Sequence, residues 1–508
     1  MAAPHLSWKD MPGTLKGVNL FDAAYSGLTY GLVNVLGRLG RTSATNRTWR
    51  PGEKLQILFL AYSGARNTGA EVRVAECIRQ VNQVLGEDRV DINMSTLDLH
   101  EAGEYFRGYH VNLKAMSAVF FKDIYRLVLE NHLIVLVEGS CWKENFATAL
   151  LLYFLYGAGL AAQLGKPAFS YAVDAGQMNR LNNYLSHLLS RDLTRIITRS
   201  ADSTQVLESI GLHADSTRVD TAWTQQAETP EFAAGILKAR GWDGKKPLVG
   251  LAMQNYQRWP VVPDVAKFAR TLVTGDHKNQ YKLVYYYDYS AADERADREW
   301  AQMLARTMDG IVEKHGAQPV LVAMEALDEE SCKDVTALMR NKPILASCNE
   351  FVGTQLAAIL RTLSLLVTTR YHAMVLSMPG RVPFIGVSRD ERIRGVMKEI
   401  GLFGDYYLDH REDGLESKIA ERADRILGDP DEADRFREVI RKHLPYYYAQ
   451  MALLGLDIRD MVRSAFPGFV PKDLDENDAM QLIPYAPPDL VKSVKAKYQF
   501  MKAKEGRG

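Results

Sequence analysis

Short apolar runs recur along this chain between helix-patterned stretches of a dozen or so residues, and the alternation stops once and then restarts. A continuous apolar run has no polar face to turn to water, so a strand made from it must be covered on both sides. The first block holds LQILFLAY (55–62), VDINMSTL (90–97), LIVLVEG (133–139), KPAFSYAV (166–173), RIITRS (195–200) and STRVDTAW (216–223). The second holds PLVGLAMQ (247–254), YKLVYYYDY (281–289), PVLVAM (319–324), KPILAS (342–347), LLVTTR (365–370) and VPFIGVS (382–388). Strands alternating with helices imply parallel sheets, hence two Rossmann-like doubly wound domains around a cleft. The expected division is an N-terminal extension (1–50), a first domain (51–225), a polar linker (226–246), a second domain (247–428), and a C-terminal helical region with a basic tail (429–508).

Composition narrows the partners. Lys and Arg number 62 and so do Asp and Glu, leaving no net charge to attract nucleic acid, so none is expected as a partner. The four cysteines (Cys77, Cys141, Cys332, Cys348) lack CxxC spacing and read as buried, reduced thiols of a cytoplasmic protein. No His, Asp and Glu cluster has ligand spacing, so no metal is expected. The uncharged stretch 146–165 sits inside the strand–helix pattern and reads as a core helix, not a membrane span. The tail VKSVKAKYQFMKAKEGRG is a solvated basic helix by pattern, able to touch anionic lipid at the inner face of a membrane. A homo-oligomer is left open.

Ligands of parallel sheets bind beyond the carboxyl ends of the strands. After the first strand comes SGARNTGAEV, with Gly64 and Gly69 permitting a tight turn into a helix whose free N–H groups suit an anion. After LIVLVEG comes SCWKENF, with a hydroxyl and a lysine. Arg199 sits at the lip of RIITRS, where its planar fork could hold a phosphate or a carboxylate or merely cap a local acid. LLVTTR delivers Arg370 and His372 to a strand-to-helix turn, and Arg389, Arg392 and Arg394 follow the next strand. Histidine there is a natural general acid or base, and the surrounding cations suit an anionic small molecule.

Four of these segments together resemble the polysaccharide pyruvyl transferases: Asn67-Thr68-Gly69-Ala70-Glu71, Glu138-Gly139-Ser140, TRSADSTQVLESIGL, and Arg370-Tyr371-His372 followed by VPFIGVSRDERIRG. Their order and spacing agree over about residues 55–405. The chain departs from the family pattern at Ala70 (Asp in the family), at Glu138 (Gly) and at Arg392 (Lys). The resemblance implies a fold similar to the GT-B glycosyltransferases and transfer of a pyruvyl group from phosphoenolpyruvate to a sugar or glycan acceptor as a ketal, as in exopolysaccharide synthesis, with no cofactor. It assigns His372 as general acid, Arg370 and Arg199 as anion clamps and Arg392 as a third cation. Asn67, Gly69, Glu71, Gly139, Ser140 and Lys143 would hold the acceptor. Two alternatives share the architecture. One is a nucleotide-sugar glycosyltransferase, with Glu325 or Glu350 near the ribose; the other is a non-catalytic scaffold, which Ala70 would suit.

Overall fold

The computed structural model describes residues 20–507 apart from 118, 145, 255–260, 278, 283 and 288. Residues 1–19 of the expected N-terminal extension therefore lie outside the described residues. The first sheet is formed by β1 (Leu55–Leu60), β2 (Val90–Thr96), β3 (Asn112–Ala115), β4 (Leu133–Leu136), β5 (Ala168–Val173), β6 (Arg195–Thr198) and β7 (Ser216–Thr217). All seven run parallel in the order β3-β2-β1-β4-β5-β6-β7. The second block contributes β8 (Leu248–Ala252), β9 (Val261–Pro263), β10 (Gln280–Lys282), β11 (Tyr285–Tyr287), β12 (Gln318–Ala323), β13 (Ile344–Ser347), β14 (Leu365–Thr368), β15 (Phe384–Val387) and β16 (Tyr407–Leu408). Six of these form a second parallel sheet, β13-β12-β8-β14-β15-β16. The architecture is that of two Rossmann-like halves, as the alternation predicts.

The strands obey the burial that their composition demands. β4, β5, β8, β14 and β15 are buried at every position, the pattern of sheets covered on both faces. Between β4 and β5 runs the helix Thr148–Gln163, buried along Leu151–Ala161 between the first sheet and an N-terminal helix, Leu20–Gly40. Its apolar character therefore belongs to the core, and no helix among the described residues is long and apolar enough to cross a membrane. The four cysteines are buried and free.

The strand order reverses once in each sheet, between β1 and β4 and between β8 and β14. At such switch points neighbouring loops diverge and open a crevice. The segments that follow β1, β4 and β14 are those carrying Asn67–Glu71, Glu138–Lys143 and Arg370–His372.

Three stretches differ from the expectation. The tyrosine-rich run 281–289, part of which lies outside the described residues, does not join the second parallel sheet. β10 and β11 instead form a separate antiparallel sheet with β9. Tyrosine explains this, because each ring needs one apolar side and a polar outlet: Tyr286 is buried with its hydroxyl 2.8 Å from Thr271 Oγ1. The sheet reaches the first domain, where Val261 N–H donates to Phe146 O at 3.0 Å. Residues 226–246 are not a bare linker, since Thr229 caps a helix, Pro230–Ala239, that packs on the helix Gly353–Arg361. Finally, the basic tail is docked. The helix Val491–Lys504 packs on the 36-residue helix Pro430–Ala465, burying Val494 and Tyr498. Lys502 donates inward to Asn477 at 2.8 Å, and Arg507 meets Asp457 at 2.7 Å. The long helix bridges both domains, stacking Tyr447 on Trp223 at 3.9 Å between ring centroids.

Candidate functional site

The helix Thr68–Leu85 begins at the carboxyl end of β1 and is capped by Asn67, whose side chain accepts from Ala70 N at 3.1 Å. Its first turn docks on the second domain: Thr68 N–H donates to Met324 O at 2.8 Å, and Asn67 forms an antiparallel bridge with Glu325. The approach depends on Gly69. A Cβ there would lie 2.1 Å from His372 Nδ1, so only glycine lets the helix end abut the imidazole. Gly139 does the same after β4, where a Cβ would sit 2.8 Å from Arg199 Nη1 and 3.2 Å from Arg73 Nη1. Ser140, half-buried, continues that turn toward Lys143.

His372 therefore stands between the domains, with Nε2 3.4 Å from Asp220 Oδ2, an ion-pair distance without hydrogen-bond geometry. Asp220 is the hub of the site. Its Oδ2 also receives Arg199 Nη1 at 2.6 Å and Arg73 Nε at 3.2 Å. Arg73 is fixed by donating to the carbonyls of Val137 and Ala172. Arg199 reaches in the other direction to Asp174 at 2.7 Å, and Lys143 approaches the same carboxylate at 3.4 Å. Burial opposes the ionisation of Asp174, but Arg199, then Lys143 and Arg392, outweigh it and hold the group well below the usual carboxylate range. Asp220 is held down in the same way, by Arg73, His372 and Arg199 against its burial.

The protonation of His372 differs from the expected imidazolium. Burial pushes its pKa below the ordinary value and Arg392 and Arg199 add to the effect, so Asp220 offsets only part of it. The net shift favours the uncharged ring. Two carboxyls nearby move the other way. Burial pushes Glu71 up to about 7, although its Oε1 accepts from Gly64 N–H at 2.8 Å. Burial also raises Glu138 against the pull of Arg73 and Arg199. Each keeps one carboxyl oxygen without a hydrogen-bond partner.

The expected anion clamps are not open. Arg370 points to the second domain's own carboxylates, donating to Glu325 at 2.9 Å and to Asp328. That leaves Glu325 engaged, and Glu350 pairs with Arg240. Arg199 has both terminal nitrogens on aspartates, with its side chain 3% exposed. Of the basic side chains lining the adjoining cavity, Arg392 and Lys143 are partly accessible, 30% and 18% exposed, while Arg389 and Arg394 are exposed outside its lining. Arg392 pairs with Asp390 and lies over the Tyr371 ring at 4.9 Å.

Arg392 and Lys143 face a cavity of about 310 Å³ at the β5–β7 end of the crevice. Tyr371, Tyr446 and Trp223 supply its aromatic walls, and the helices Ala201–Ser209 and Glu391–Glu399 open their N-termini onto it. Four basic and five acidic side chains line it. The cavity offers paired charges, aromatic faces and two helix starts whose caps are Ser200 and Asp390.

Asp174, Asp220 and Arg73 were not picked out from the sequence. A signal existed: Asp174 directly follows β5, Asp220 lies three residues beyond β7, and Arg73 interrupts an apolar helix face as VRV.

No family model and no curated protein matches the chain. Solved structures do. Anabaena Alr3699/HepE in complex with UDP-glucose superposes with a TM-score of 0.54 at 12% identity, covering 81% of this chain and 100% of that one. A Listeria monocytogenes protein assigned as a UDP-N-acetylglucosamine 2-epimerase gives 0.52 at 11% identity, over 83% of this chain and 99% of that one. S. aureus MnaA with UDP gives 0.51 at 9%, over 83% and 100%. The chain has the GT-B fold.

Proposed function

We propose that this chain transfers a glycosyl group from a nucleotide-activated sugar to a hydroxyl acceptor, with His372 as the general base. The observation that carries the reading is the imidazole held between Gly69 and Asp220 where the two domains meet; burial there favours its uncharged form. Transfer of this kind removes a proton from the acceptor hydroxyl as its oxygen attacks the anomeric carbon. The C–O bond to the diphosphate then breaks, and charge develops on the leaving nucleotide. A neutral His372 takes the proton, and Asp220 stabilises the imidazolium that results. Arg392, Lys143 and the two helix N-termini face the cavity where a diphosphate would sit. Its aromatic walls suit a base or a sugar ring, and the UDP and UDP-glucose bound to two of the structural neighbours are of that class.

Pyruvyl transfer from phosphoenolpyruvate is the second reading. It is favoured by the convergence of the resembling segments, since Gly69 meets His372 and Gly139 meets Arg199. Ketal formation needs a proton delivered to the donor's methylene carbon. Glu71, its pKa near neutrality, suits that step better than His372 does.

One assay separates the two. The protein is incubated with a sugar acceptor panel and either UDP-sugars or phosphoenolpyruvate, and UDP and inorganic phosphate are measured. UDP release lost in His372→Ala supports glycosyl transfer, whereas phosphate release from phosphoenolpyruvate alone supports pyruvyl transfer. If neither donor is turned over nor raises Tm, both transfer readings fall and the scaffold reading gains.

A further inference from the structure

A second cavity, of about 300 Å³, opens at the other end of the same sheet edge, where β1, β2 and β3 finish. Among the described residues no charged side chain lines it, against nine in the polar cavity. Tyr62 and Met116 enter from the strand ends, Phe120 and Leu150 from the helical layer, Tyr285 from β11 and Tyr25 from the helix Leu20–Gly40. Tyr62 lies on the segment that leads, five residues on, to Asn67, the cap of the helix whose Gly69 meets His372.

The Leu20–Gly40 helix is apolar on its outer side as well as on its inner one, where Tyr25, Leu32 and Leu36 pack, partly buried, against the core. The side it buries carries Ser26, Thr29 and Gly37 together with Val33, and these pack toward the Thr148–Gln163 helix. Its outward side carries Leu20 (85% exposed), Leu28 (50%), Val35 (57%) and Leu39 (61%). At about 100° per residue these four fall within one third of the helix circumference, an apolar stripe with the exposed Arg38 at its edge. The exposed Arg38, Arg41, Arg47 and Arg50 follow at its end. An apolar stripe beside basic residues is the surface of a helix that lies in a bilayer interface with anionic headgroups. A symmetric contact between two copies of this stripe would bring Arg38 and Arg41 of each toward the other.

The geometry points to an acceptor that carries a long aliphatic chain and is drawn from an anionic bilayer on which the Leu20–Gly40 helix lies. The chain occupies the apolar cavity and the sugar head reaches His372. Phe21 and Tyr25 of that helix line the cavity, while Leu20, Leu28 and Leu39 are exposed. The word acceptor rests on the group-transfer reading; the binding of chain and bilayer does not.

Two measurements, both made without donor, test the inference. In flotation with phosphatidylcholine vesicles, the wild type rises only when phosphatidylglycerol is present. The triple variant Leu28→Glu, Val35→Glu, Leu39→Glu stays behind with an unchanged circular dichroism spectrum. In titration with monomeric hexyl, octyl and decyl glucosides, Kd falls by about fourfold per added methylene. Leu150→Trp removes that dependence, and Ala149→Trp serves as an independent filler of the same cavity. Equal Kd values across the chain series overturn the inference, and so does a wild type that stays off anionic vesicles. So does a wild-type dimer that the triple variant splits, which would give the stripe to a second copy. Should chain and vesicle bind while no donor is turned over, the transfer reading falls alone.

Discussion

The two ends of the crevice are built on one sheet edge and differ in almost every chemical respect. At β5–β7 the residues directly after the strands are Asp174, Arg199 and Arg218, of which Arg199 joins Asp174 to Asp220 while Arg218 pairs with Asp457. At β1–β3 they are Ala61, Leu97 and Met116, with no charge to neutralise. The framework is the same, so the identity of one or two residues past each strand decides whether a cavity is polar or apolar. His372 lies between the two domains, against Gly69 and Asp220. The polar end is costly to build, because each buried ion must be desolvated and stays ionised only while its partners are in place. The apolar end has no such requirement and should tolerate substitution more readily.

That contrast can be broken at graded cost. The largest effect is expected at the junction: His372→Ala should lower turnover by about 10²–10⁴-fold while leaving donor affinity within about twofold, measured by kcat and by calorimetric titration. Next comes Arg199→Leu, which strands Asp174 and Asp220 without their shared cation. A loss of about 3–5 kcal/mol is expected in chemical denaturation, against less than about 1 kcal/mol for the more exposed Arg392→Leu. Arg392→Leu should instead weaken donor binding.

A pH test follows from Glu71. Its folded-state pKa of about 7 exceeds the ordinary 4.5, so its favourable contribution is full below about pH 4.5 and is lost as pH rises through 7. Glu71→Gln should therefore stabilise the protein at pH 8 by up to about 3 kcal/mol and have little effect at pH 4.5, read as the change in Tm at each pH. The smallest effect belongs to the apolar end. Leu28→Glu, on the outward stripe, should change unfolding free energy by less than about 0.5 kcal/mol.

Much of the architecture was legible in the residue order because burial on both faces leaves a strong trace: LIVL, LVGLA and LLVT admit no half-exposed strand. The switch-point segments were legible for the same reason, since glycine and polar residues follow those runs directly. The antiparallel sheet around Tyr285–Tyr287 was not, because a run of aromatics fits a core strand or an amphipathic edge equally well. The roles of the arginines were also hidden. Arg199 and Arg370 are spaced as anion clamps, but whether a guanidinium is free depends on carboxylates distant in sequence, such as Asp220 and Asp328. The lowered pKa of His372 is likewise a product of burial, which sequence spacing does not report.

The central claim is that donor binding occupies the β5–β7 end and leaves the β1–β3 end open. Hydrogen–deuterium exchange with saturating UDP tests it directly. The account predicts slowed exchange in the amides of 200–204 and 391–396, at the two helix N-termini, with residues 116–121 and 147–153 unchanged. Protection confined to the apolar end, or no protection in either helix start, would contradict it.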